Sequence, residues 1–298
     1  MSFSIVHLAD PHFGGGAVVE QVEALEALVP DLEPDLIVLS GDLTQRARHG
    51  EFQRARSWIR ELERTAPVYV LPGNHDVQWW WRPFVPFARA VIWEKYRRYI
   101  SSELTPTLEL PGAIVAGVLT SYGVAWGSLT PRLRDIAVKG HLPKREVERA
   151  ARIFGRARPA QLRVLVMHHN LLRGELSGRM GLARWRQAQR RITEIGPDLV
   201  LCGHDHQESA ELLGSVVVAA TGTLTNRSRG GRPSTFNRIV VDEEATQVEC
   251  YRWEAARKVF KRSDRHQFAR QPPRPETAEQ AGDPRAPRDG MTSQPDPR

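Results

Sequence analysis

The sequence predicts an α/β fold in which two sheets pack face to face and helices flank them. Short runs rich in Val, Ile and Leu recur along the chain, each followed by a turn signal. Because these runs are continuously apolar, they are typical of strands that are covered on both faces. Amphipathic helical patterns separate the early runs, and this alternation indicates βαβ units with mostly parallel strands.

The positions of the elements follow from these patterns. The predicted strands lie within residues 3–10, 35–42, 67–74, 113–120, 163–170, 198–205 and 215–222. Apolar residues recur at spacings of three and four in the predicted helices, which lie within residues 18–32, 50–64, 141–154 and 178–195. Two alternating segments surround a polar turn in residues 236–253, and this pattern predicts a hairpin.

The chain of 298 residues predicts one globular domain followed by a tail. Its apolar share of 41% and charged share of 26% are ordinary for a soluble enzyme and unlike those of a membrane or disordered protein. We expect the domain to span residues 1–261, and a Pro-rich, disordered tail to span residues 262–298, where no apolar period occurs. The N-terminal residues lack the basic flank and apolar run of a signal peptide, so we expect a cytoplasmic protein.

A formal net charge of +7 favours an anionic partner, and nucleic acid is one candidate. The arginines, however, alternate with apolar residues at helical spacing in residues 54–62, 96–100 and 184–192. Solvated helix faces therefore account for most of this charge. Nucleic-acid binding is therefore the less favoured alternative, and no apolar run is long enough to cross a membrane.

Other polar features of the sequence point to no chemistry. Cys202 and Cys250 form no closely spaced pair of the kind that binds zinc or cycles between redox states, and Cys202 is predicted to be buried. The glycines of residues 12–16 precede no Gly-Lys-Ser/Thr, which argues against a phosphate-binding P-loop. His7 lies inside the first predicted strand and is interpreted as a core residue.

Potential metal ligands and proton carriers follow five of the predicted strands. They are Asp10 and His12, then Asp42, then Asn74, His75 and Asp76, then His168 and His169, then His204 and His206. Because the carboxyl ends of parallel strands meet at one edge of a sheet, we expect a single site there. Only oxygen and nitrogen donors occur in the set, which suits Mn²⁺, iron, Zn²⁺ or Mg²⁺.

These motifs together resemble those of the calcineurin-like metallophosphoesterases. The family pattern is D-x-H, G-D, G-N-H-D/E, a single or doubled His, and G-H-x-H. Here it reads DPH at 10–12, GD at 41–42, GNHD at 73–76, HH at 168–169 and GHDH at 203–206. The resemblance implies a four-layer αββα sandwich of two packed mixed sheets flanked by helices, and a metal-dependent phosphoesterase, which is a hydrolase.

The resemblance also implies a role for each motif residue. Two divalent ions would be held by Asp10, His12 and His206 on one side, by Asn74, His168 and His204 on the other, and by Asp42 between them. His75 would face the scissile phosphate as a catalytic residue, and Asp76, grouped with it, would support the ligands. His169 would be a further support. Such an ion pair lowers the pKa of a shared water, so that hydroxide attacks the phosphorus.

The resemblance to one branch of the family implies a substrate class. Residues 140–154 are similar to a helix of the cyclic-nucleotide phosphodiesterase branch, which hydrolyses 3′,5′-cyclic nucleotides and other small phosphodiesters. Residues 79–105 are rich in aromatic and basic side chains and are predicted to form a helical lip. Trp79 and Arg82 are its candidate substrate contacts, through stacking and phosphate binding. Burial of the aromatic side chains against the sheet is the alternative.

Three interpretations of function follow. The first is a phosphodiesterase acting on a small phosphodiester, favoured by the predicted lip. The second is a nuclease or other phosphoesterase with the same metal chemistry, favoured by the positive charge. The third is a scaffold that keeps the fold without catalysis, which the intact motifs disfavour.

Overall fold

The computed structural model describes residues 2–78, 92–122, 139–225 and 229–270 of the chain. Trp79 and Arg82, the candidate contacts of the predicted lip, lie outside the described residues. Of the lip itself, the structure describes residues 92–105, which include a short helix, Glu94–Tyr99.

Two six-stranded sheets form the centre of the molecule. In chain order, the strands are β1 (Phe3–Leu8), β2 (Leu36–Leu39), β3 (Val68–Val70), β4 (Thr107–Glu109), β5 (Ala113–Gly117), β6 (Leu162–Val166), β7 (Leu199–Cys202), β8 (Ser209–Leu213), β9 (Val216–Ala220), β10 (Thr235–Val241), β11 (Ala245–Glu254) and β12 (Val259–Ala269). The first sheet has the order β12-β11-β10-β1-β2-β3, and the second has the order β4-β5-β6-β7-β9-β8.

Both sheets are mixed. Strands β1, β2 and β3 are parallel to one another, as are β5, β6, β7 and β9. Strands β10, β11 and β12 continue the first sheet in antiparallel fashion, while β4 and β8 are the antiparallel edges of the second. The carboxyl ends of the parallel strands in each sheet therefore share one edge, as the motif positions require.

Helices cover the outer face of each sheet. They are α1 (Val19–Leu28), α2 (His49–Leu62), α3 (Glu94–Tyr99), α4 (Lys144–Phe154) and α5 (Trp185–Ile195). One apolar core joins α1 and α2 to the first sheet, another joins α4 and α5 to the second, and a third lies between the sheets. These layers confirm the predicted αββα sandwich of two mixed sheets with flanking helices.

Helix α2 shows how the local sequence produces its element. Phe52, Ala55, Ile59 and Leu62 recur at spacings of three and four, and all four are buried against the first sheet. At its N-terminus, the Glu51 carboxylate accepts hydrogen bonds from the backbone N–H groups of residues 46 and 48, at 2.8 and 3.1 Å. These bonds satisfy backbone donors just before the helix and connect it to the loop after β2.

The predicted hairpin is present as β10 and β11, but the predicted start of the tail is wrong. Residues 262–269, assigned to the disordered tail, belong to β12, which pairs with β11 along its length. Most side chains of β12 are exposed, so no apolar period marks this strand in the sequence. Backbone pairing, which the sequence pattern does not reveal, orders it. The edge strands β4 and β8 were also not predicted.

The remaining predicted elements are present with shorter bounds. The pattern in residues 178–195 gives a helix only from Trp185 onward, because residues before it form a loop that ends with Arg184 in a left-handed conformation. Within the described part of the chain, no helix has the length and apolar character needed to span a membrane.

Candidate metal centre

The loops that follow β1 and β2 are joined by backbone hydrogen bonds, and together they form the base of the site. The N–H of Asp10 donates to the carbonyl of Gly41 at 3.1 Å, and the N–H of His12 donates to the carbonyl of Asp42 at 3.1 Å. Parallel pairing thus continues past the ends of the strands. As a consequence, the first two motifs lie side by side.

Backbone strain is concentrated in these loops. Among the described residues, nine other than glycine have positive φ, and five of them are the candidate ligands Asp10, His12, Asp42, His204 and His206. Such conformations cost on the order of 1–3 kcal/mol each and persist where the surrounding structure fixes them, often at functional sites. The strain therefore marks this edge of the sheets independently of the motif pattern.

Gly41 is required by close packing as well as by its backbone. Its φ is +98°, and a Cβ atom there would lie 2.7 Å from both the backbone nitrogen of Gly73 and Nδ1 of His168. Any other residue would push apart the loops that carry the second, third and fourth motifs. The glycine of GD thus has a geometric role in assembling the site.

Asp10, His12 and His206, the first predicted ligand set, lie together. Nε2 of His12 and Nε2 of His206 lie 3.9 and 3.8 Å from Oδ1 of Asp10, and 3.1 Å from each other. Oδ2 of Asp10 accepts the backbone N–H of His204 at 2.9 Å, but its buried Oδ1 has no hydrogen bond to any described residue. A buried carboxylate oxygen facing two imidazole nitrogens fits a cation between them.

Asn74, His168 and His204, the second predicted ligand set, also lie together. Oδ1 of Asn74 lies 2.9 Å from Nε2 of His168 and 3.0 Å from Nδ1 of His204. The other ring nitrogen of His168, Nδ1, donates to the carbonyl of Ser40 at 2.9 Å. This bond leaves Nε2 as the ring nitrogen that a metal ion would bind after it loses its proton.

Asp42 lies between the two sets. Its Oδ2 is 3.8 Å from Nε2 of His12 in the first set and 3.4 Å from Nε2 of His168 in the second. Its Oδ1 accepts the backbone N–H of His75 at 2.7 Å, which fixes the orientation of the carboxylate. One oxygen of Asp42 is thus placed to serve both halves of the site.

Burial shifts the protonation equilibria of three of these side chains toward their uncharged forms. Burial, with the repulsion of Asp42, raises the pKa of Asp10 well above its ordinary value. Burial lowers the pKa values of His12 and His204 well below the ordinary value, so both rings are neutral near pH 7. Clustered carboxylates and neutral imidazoles are the ligand forms that divalent metal ions require.

Asp42 and His168 shift each other's pKa values in opposite directions. Burial alone would raise the pKa of Asp42, but the imidazoles of His168, His75 and His12 lower it well below its ordinary value. Burial likewise opposes charge on His168, yet Asp42 and a hydrogen bond to it raise its pKa to about 9. In this pair Asp42 is ionised and His168 holds a proton, which a bound metal ion would displace.

His75 lies beside the first ligand set. Its ring centroid is 4.8 Å from that of His12, and one of its nitrogens lies within 4.8 Å of ligand atoms of His12 and Asp42. Nδ1 donates to the backbone carbonyl of Gln45 at 2.8 Å. This bond orients the ring at the edge of the ligand cluster, where a proton donor to a bound phosphate would be needed.

Asp76 joins two of the motif loops rather than facing the ligand cluster. It is fully buried, and its carboxylate accepts backbone N–H groups from Leu43, Thr44 and Gly73 at 3.1, 2.8 and 2.9 Å. The Thr44 hydroxyl donates a fourth bond at 2.8 Å. With both oxygens used in this way, Asp76 fits the supporting role and not direct contact with substrate.

His169 lies behind the second ligand set. Its ring centroid is 4.4 Å from that of His204, and its Nδ1 is 2.8 Å from the hydroxyl of Thr120. His168, the first histidine of the pair, makes the contacts with Asn74 and Asp42. The geometry therefore supports His168 as the ligand, with His169 packed against the ring of His204.

Several supporting residues were not identified from the sequence. Ser40, Thr44 and Gln45 contact motif residues, and the Thr223 hydroxyl donates to the backbone carbonyl of Asp10 at 2.6 Å. Thr44 and Gln45 lie two and three residues after Asp42, so their proximity in the sequence was a usable signal. Thr223 is far away in the chain, and no pattern in the sequence connects it to the first motif.

Two of the other sequence interpretations agree with the structure. His7 is fully buried in β1, where its Nε2 is 3.0 Å from the Ser40 hydroxyl and burial lowers its pKa to about 3. Cys202 and Cys250 are both buried free thiols.

Comparison with known proteins gives matches in sequence and in structure. The family model described as calcineurin-like phosphoesterase matches residues 3–208. A probable cyclic nucleotide phosphodiesterase of Synechococcus sp. is 30% identical over 84 residues, which are 26% of this chain and 32% of that protein. A glycerophosphodiester phosphodiesterase, GpdQ, of Enterobacter lignolyticus is 31% identical over 87 residues, which are 24% of this chain and 29% of that protein. The chain thus matches about a third or less of the length of these curated relatives.

Solved structures with the same fold share little sequence with this chain. A purple acid phosphatase from yellow lupin seeds superimposes with a TM-score of 0.63 at 11% identity, covering 91% of this chain and 54% of that one. A dimetal phosphatase from Danio rerio superimposes with a TM-score of 0.62 at 11% identity, covering 90% of this chain and 99% of that one. At this identity the likeness concerns the fold. The family model, by contrast, matches well over half of the sequence and all five motifs, so the chain belongs to the calcineurin-like phosphoesterase family.

Proposed function

We propose that this protein is a metal-dependent phosphodiesterase with two metal ions, acting on a small phosphodiester such as a 3′,5′-cyclic nucleotide. The observation that carries the proposal is the position of Asp42, whose Oδ2 lies within 4 Å of a histidine from each ligand set. One carboxylate between two sets of donors is the arrangement that a pair of divalent ions requires.

The ligand assignment is the one that the family resemblance implies, and the distances within the two sets support it. Asp10, His12 and His206 would hold one ion, Asn74, His168 and His204 the other, and Asp42 both. When bound, such ions supply an activated water and stabilise the charge that develops on the phosphate. The donor types suit Mn²⁺, iron or Zn²⁺, and a nucleophilic Ser or Cys is not required.

His75 is the proposed proton donor to the leaving oxygen. Its Nδ1 is committed to the Gln45 carbonyl, which holds the ring in one orientation beside the first set. A ring fixed in this way can deliver a proton from its other nitrogen without reorientation. This step matters most for alkoxide leaving groups, because their conjugate acids are weak.

The substrate class rests on the relatives that this chain resembles. One is named a probable cyclic nucleotide phosphodiesterase and another a glycerophosphodiester phosphodiesterase, and both names describe small phosphodiesters. Trp79 and Arg82 remain predicted contacts for the organic part of the substrate. A cytoplasmic location also remains a prediction from the N-terminal sequence.

A nuclease of the same metal chemistry is the second candidate, favoured by the net charge of +7. The two candidates differ in their dependence on salt. Binding of nucleic acid releases counterions, so nuclease activity would fall steeply as the salt concentration rises. Hydrolysis of a small diester would fall much less, because few phosphates are contacted.

The proposal is tested with protein that has been stripped of metal and reloaded with Mn²⁺. The substrates are bis(p-nitrophenyl) phosphate, the monoester p-nitrophenyl phosphate, cyclic AMP and single-stranded DNA. We expect metal-dependent turnover of the diester and of cyclic AMP, with little turnover of the monoester. Salt-sensitive cleavage of DNA alone would support the nuclease, and inactivity on every substrate with Mn²⁺, Fe²⁺ and Zn²⁺ would support the scaffold interpretation.

A further inference from the structure

A cavity of about 320 Å³ lies between the edge strand β8 and the inner face of β10, β11 and β12. Strand pairing explains its lining. Asn237 pairs with Cys250, which pairs with Asp264, so these three side chains form a row on one face of the first sheet. The small side chain of Ala210 on β8 faces this row and leaves space between the sheets. The volume is within the range of sites for small ligands.

The floor of the cavity is mostly apolar with one polar group. Ala210, Val248 and Cys250 line it and are all buried. Asn237 is 1% exposed, and its Nδ2 donates to the backbone carbonyl of Ala220 at 2.9 Å. No described residue donates a hydrogen bond to its Oδ1. The carboxamide oxygen of this side chain, at the base of the cavity, is an acceptor that a ligand with an N–H group would satisfy.

The rim of the cavity is charged and incompletely hydrogen-bonded. Arg252 donates from Nη2 to Glu208 at 3.0 Å and to Asp264 at 3.1 Å. Its Nε is buried and has no partner among the described residues. Because this nitrogen is not accessible from the cavity, the rim offers a ligand mainly its carboxylate acceptors.

The charge of the lining is opposite to that of the chain. Among the described lining residues, four carboxylates and two guanidinium groups give a formal charge of −2; they are Glu175, Glu208, Glu211, Asp264, Arg232 and Arg252. The whole chain carries +7. A negative lining in a positively charged protein favours a cationic ligand over the phosphate compounds that the metal centre would bind.

We propose that this cavity binds a small organic amine or guanidinium compound. Its N–H groups donate to Oδ1 of Asn237 and to the carboxylates of the rim. None of the candidate metal ligands lines the cavity. The proposal is therefore independent of the proposed phosphodiesterase activity.

The test uses the full-length, Mn²⁺-loaded protein and L-argininamide, which has a guanidinium group, an amine and a carbonyl. Binding is measured by isothermal titration calorimetry and by the shift in Tm. Glutaramate, which has a carboxylate and a carboxamide, is the anionic control. We expect saturable binding of argininamide at millimolar concentrations or below, and none of glutaramate. Absence of argininamide binding, or equal binding of glutaramate, would overturn the proposal.

Two variants on β8 locate the binding. Ala210→Met places a longer side chain in the cavity and is expected to abolish the binding of argininamide. Leu212→Met makes a change in the same strand at a side chain that is 53% exposed and does not line the cavity, and should bind as the wild type does. Unchanged binding in Ala210→Met, with circular dichroism showing a folded protein, would place argininamide elsewhere and refute the site.

A charge variant keeps the proposal testable if Ala210→Met does not fold. Asp264→Asn removes one carboxylate of the rim at a residue that is 53% exposed, and should weaken argininamide binding by about 2- to 5-fold. Glu244→Gln, on the exposed turn between β10 and β11, removes the same charge away from the cavity and serves as the control. Equal affinities for the two variants would contradict the proposed role of the rim.

Discussion

The two candidate ligand sets share Asp42 but differ in their own charge. The first set has the carboxylate of Asp10, whose buried Oδ1 lies 3.9 Å from His12 and 3.8 Å from His206. The second has the neutral carboxamide of Asn74, 2.9 Å from His168. Because affinity for a divalent ion increases with the number of charged ligands, we expect the first set to bind its ion more tightly.

The second set, although it has less charge of its own, has the better supporting hydrogen bond. Nδ1 of His168 donates to the Ser40 carbonyl at 2.9 Å, whereas Nδ1 of His12 is buried without a partner among the described residues. A supported imidazole is already oriented before a metal binds, so it loses less freedom on binding. Charge and orientation are thus divided between the two halves, and of the predicted ligands Asp42 alone belongs to both.

Asp42→Asn should have the largest effect, because it removes the charge that both ions share. We expect turnover of bis(p-nitrophenyl) phosphate to fall by about 10³-fold or more, since two bound ions contribute several kcal/mol to the stabilisation of the transition state. Initial rates at saturating Mn²⁺ measure the effect. The matched control is Asp31→Asn, an exposed carboxylate in the 3₁₀ turn after α1, which should keep wild-type rates.

The Mn²⁺ stoichiometry of Asp42→Asn sharpens this result. Loss of tight binding at both sites would agree with a bridging carboxylate. Turnover close to that of the wild type, or the loss of one ion with the other unaffected, would show that Asp42 serves only one set.

His75→Ala should have the next largest effect, and it should leave both ligand sets intact. We expect kcat to fall by about 10²-fold, the usual contribution of a proton donor, with Mn²⁺ affinity unchanged. The loss should be greater for cyclic AMP than for bis(p-nitrophenyl) phosphate, because nitrophenolate leaves without protonation. Rates on both substrates measure this difference.

The control for this variant is His49→Ala, at an exposed histidine whose Nδ1 is 2.9 Å from the hydroxyl of Tyr99. Equal losses of kcat on both substrates in His75→Ala would argue against proton donation. A parallel loss of Mn²⁺ affinity would indicate instead that His75 is itself a ligand.

The difference in charge between the sets is tested by exchanging their oxygen ligands. Asp10→Asn should weaken Mn²⁺ binding at the first set by about 10-fold or more, because it removes the only charge that this set does not share. Asn74→Asp should strengthen binding at the second set by adding a charge. Calorimetric titration of the stripped protein gives two affinities, which should move closer together in both variants. If the weaker of the two affinities does not change in Asn74→Asp, the weaker site is the first set, and orientation rather than charge limits its affinity.

The sequence predicted much of this centre for a physical reason. Parallel strands with buried, continuously apolar sequences end in glycine turns, and Asp10, Asp42, Asn74, His168 and His204 all lie just beyond such ends. Their convergence follows from topology alone. The family motifs then supplied the pairing of particular residues, and the distances between the side chains agree with it.

What the sequence did not predict depends on contacts between distant segments. Strand β12 has an exposed, charged sequence and is ordered by backbone pairing with β11, so no periodicity marked it. The contact of Thr223 with Asp10 and that of Thr120 with His169 each join residues that are far apart in the chain. The hydroxyl of a threonine has no pattern of its own, and only the folded structure shows which imidazole or carbonyl it contacts.

Thr120→Val should have the smallest effect and tests the support of the second set. The substitution keeps the shape of the side chain but removes the hydroxyl that lies 2.8 Å from Nδ1 of His169, whose ring packs against His204 at 4.4 Å. The loss of one such hydrogen bond costs about 1 kcal/mol, so we expect Mn²⁺ affinity at the second set to fall by about 5-fold. The first set, which His169 does not contact, should keep its affinity. Thr120→Ser retains the hydroxyl and should restore wild-type binding. A loss at both sets, or failure of the serine to restore affinity, would show that Thr120 acts through general packing and not through the orientation of His169.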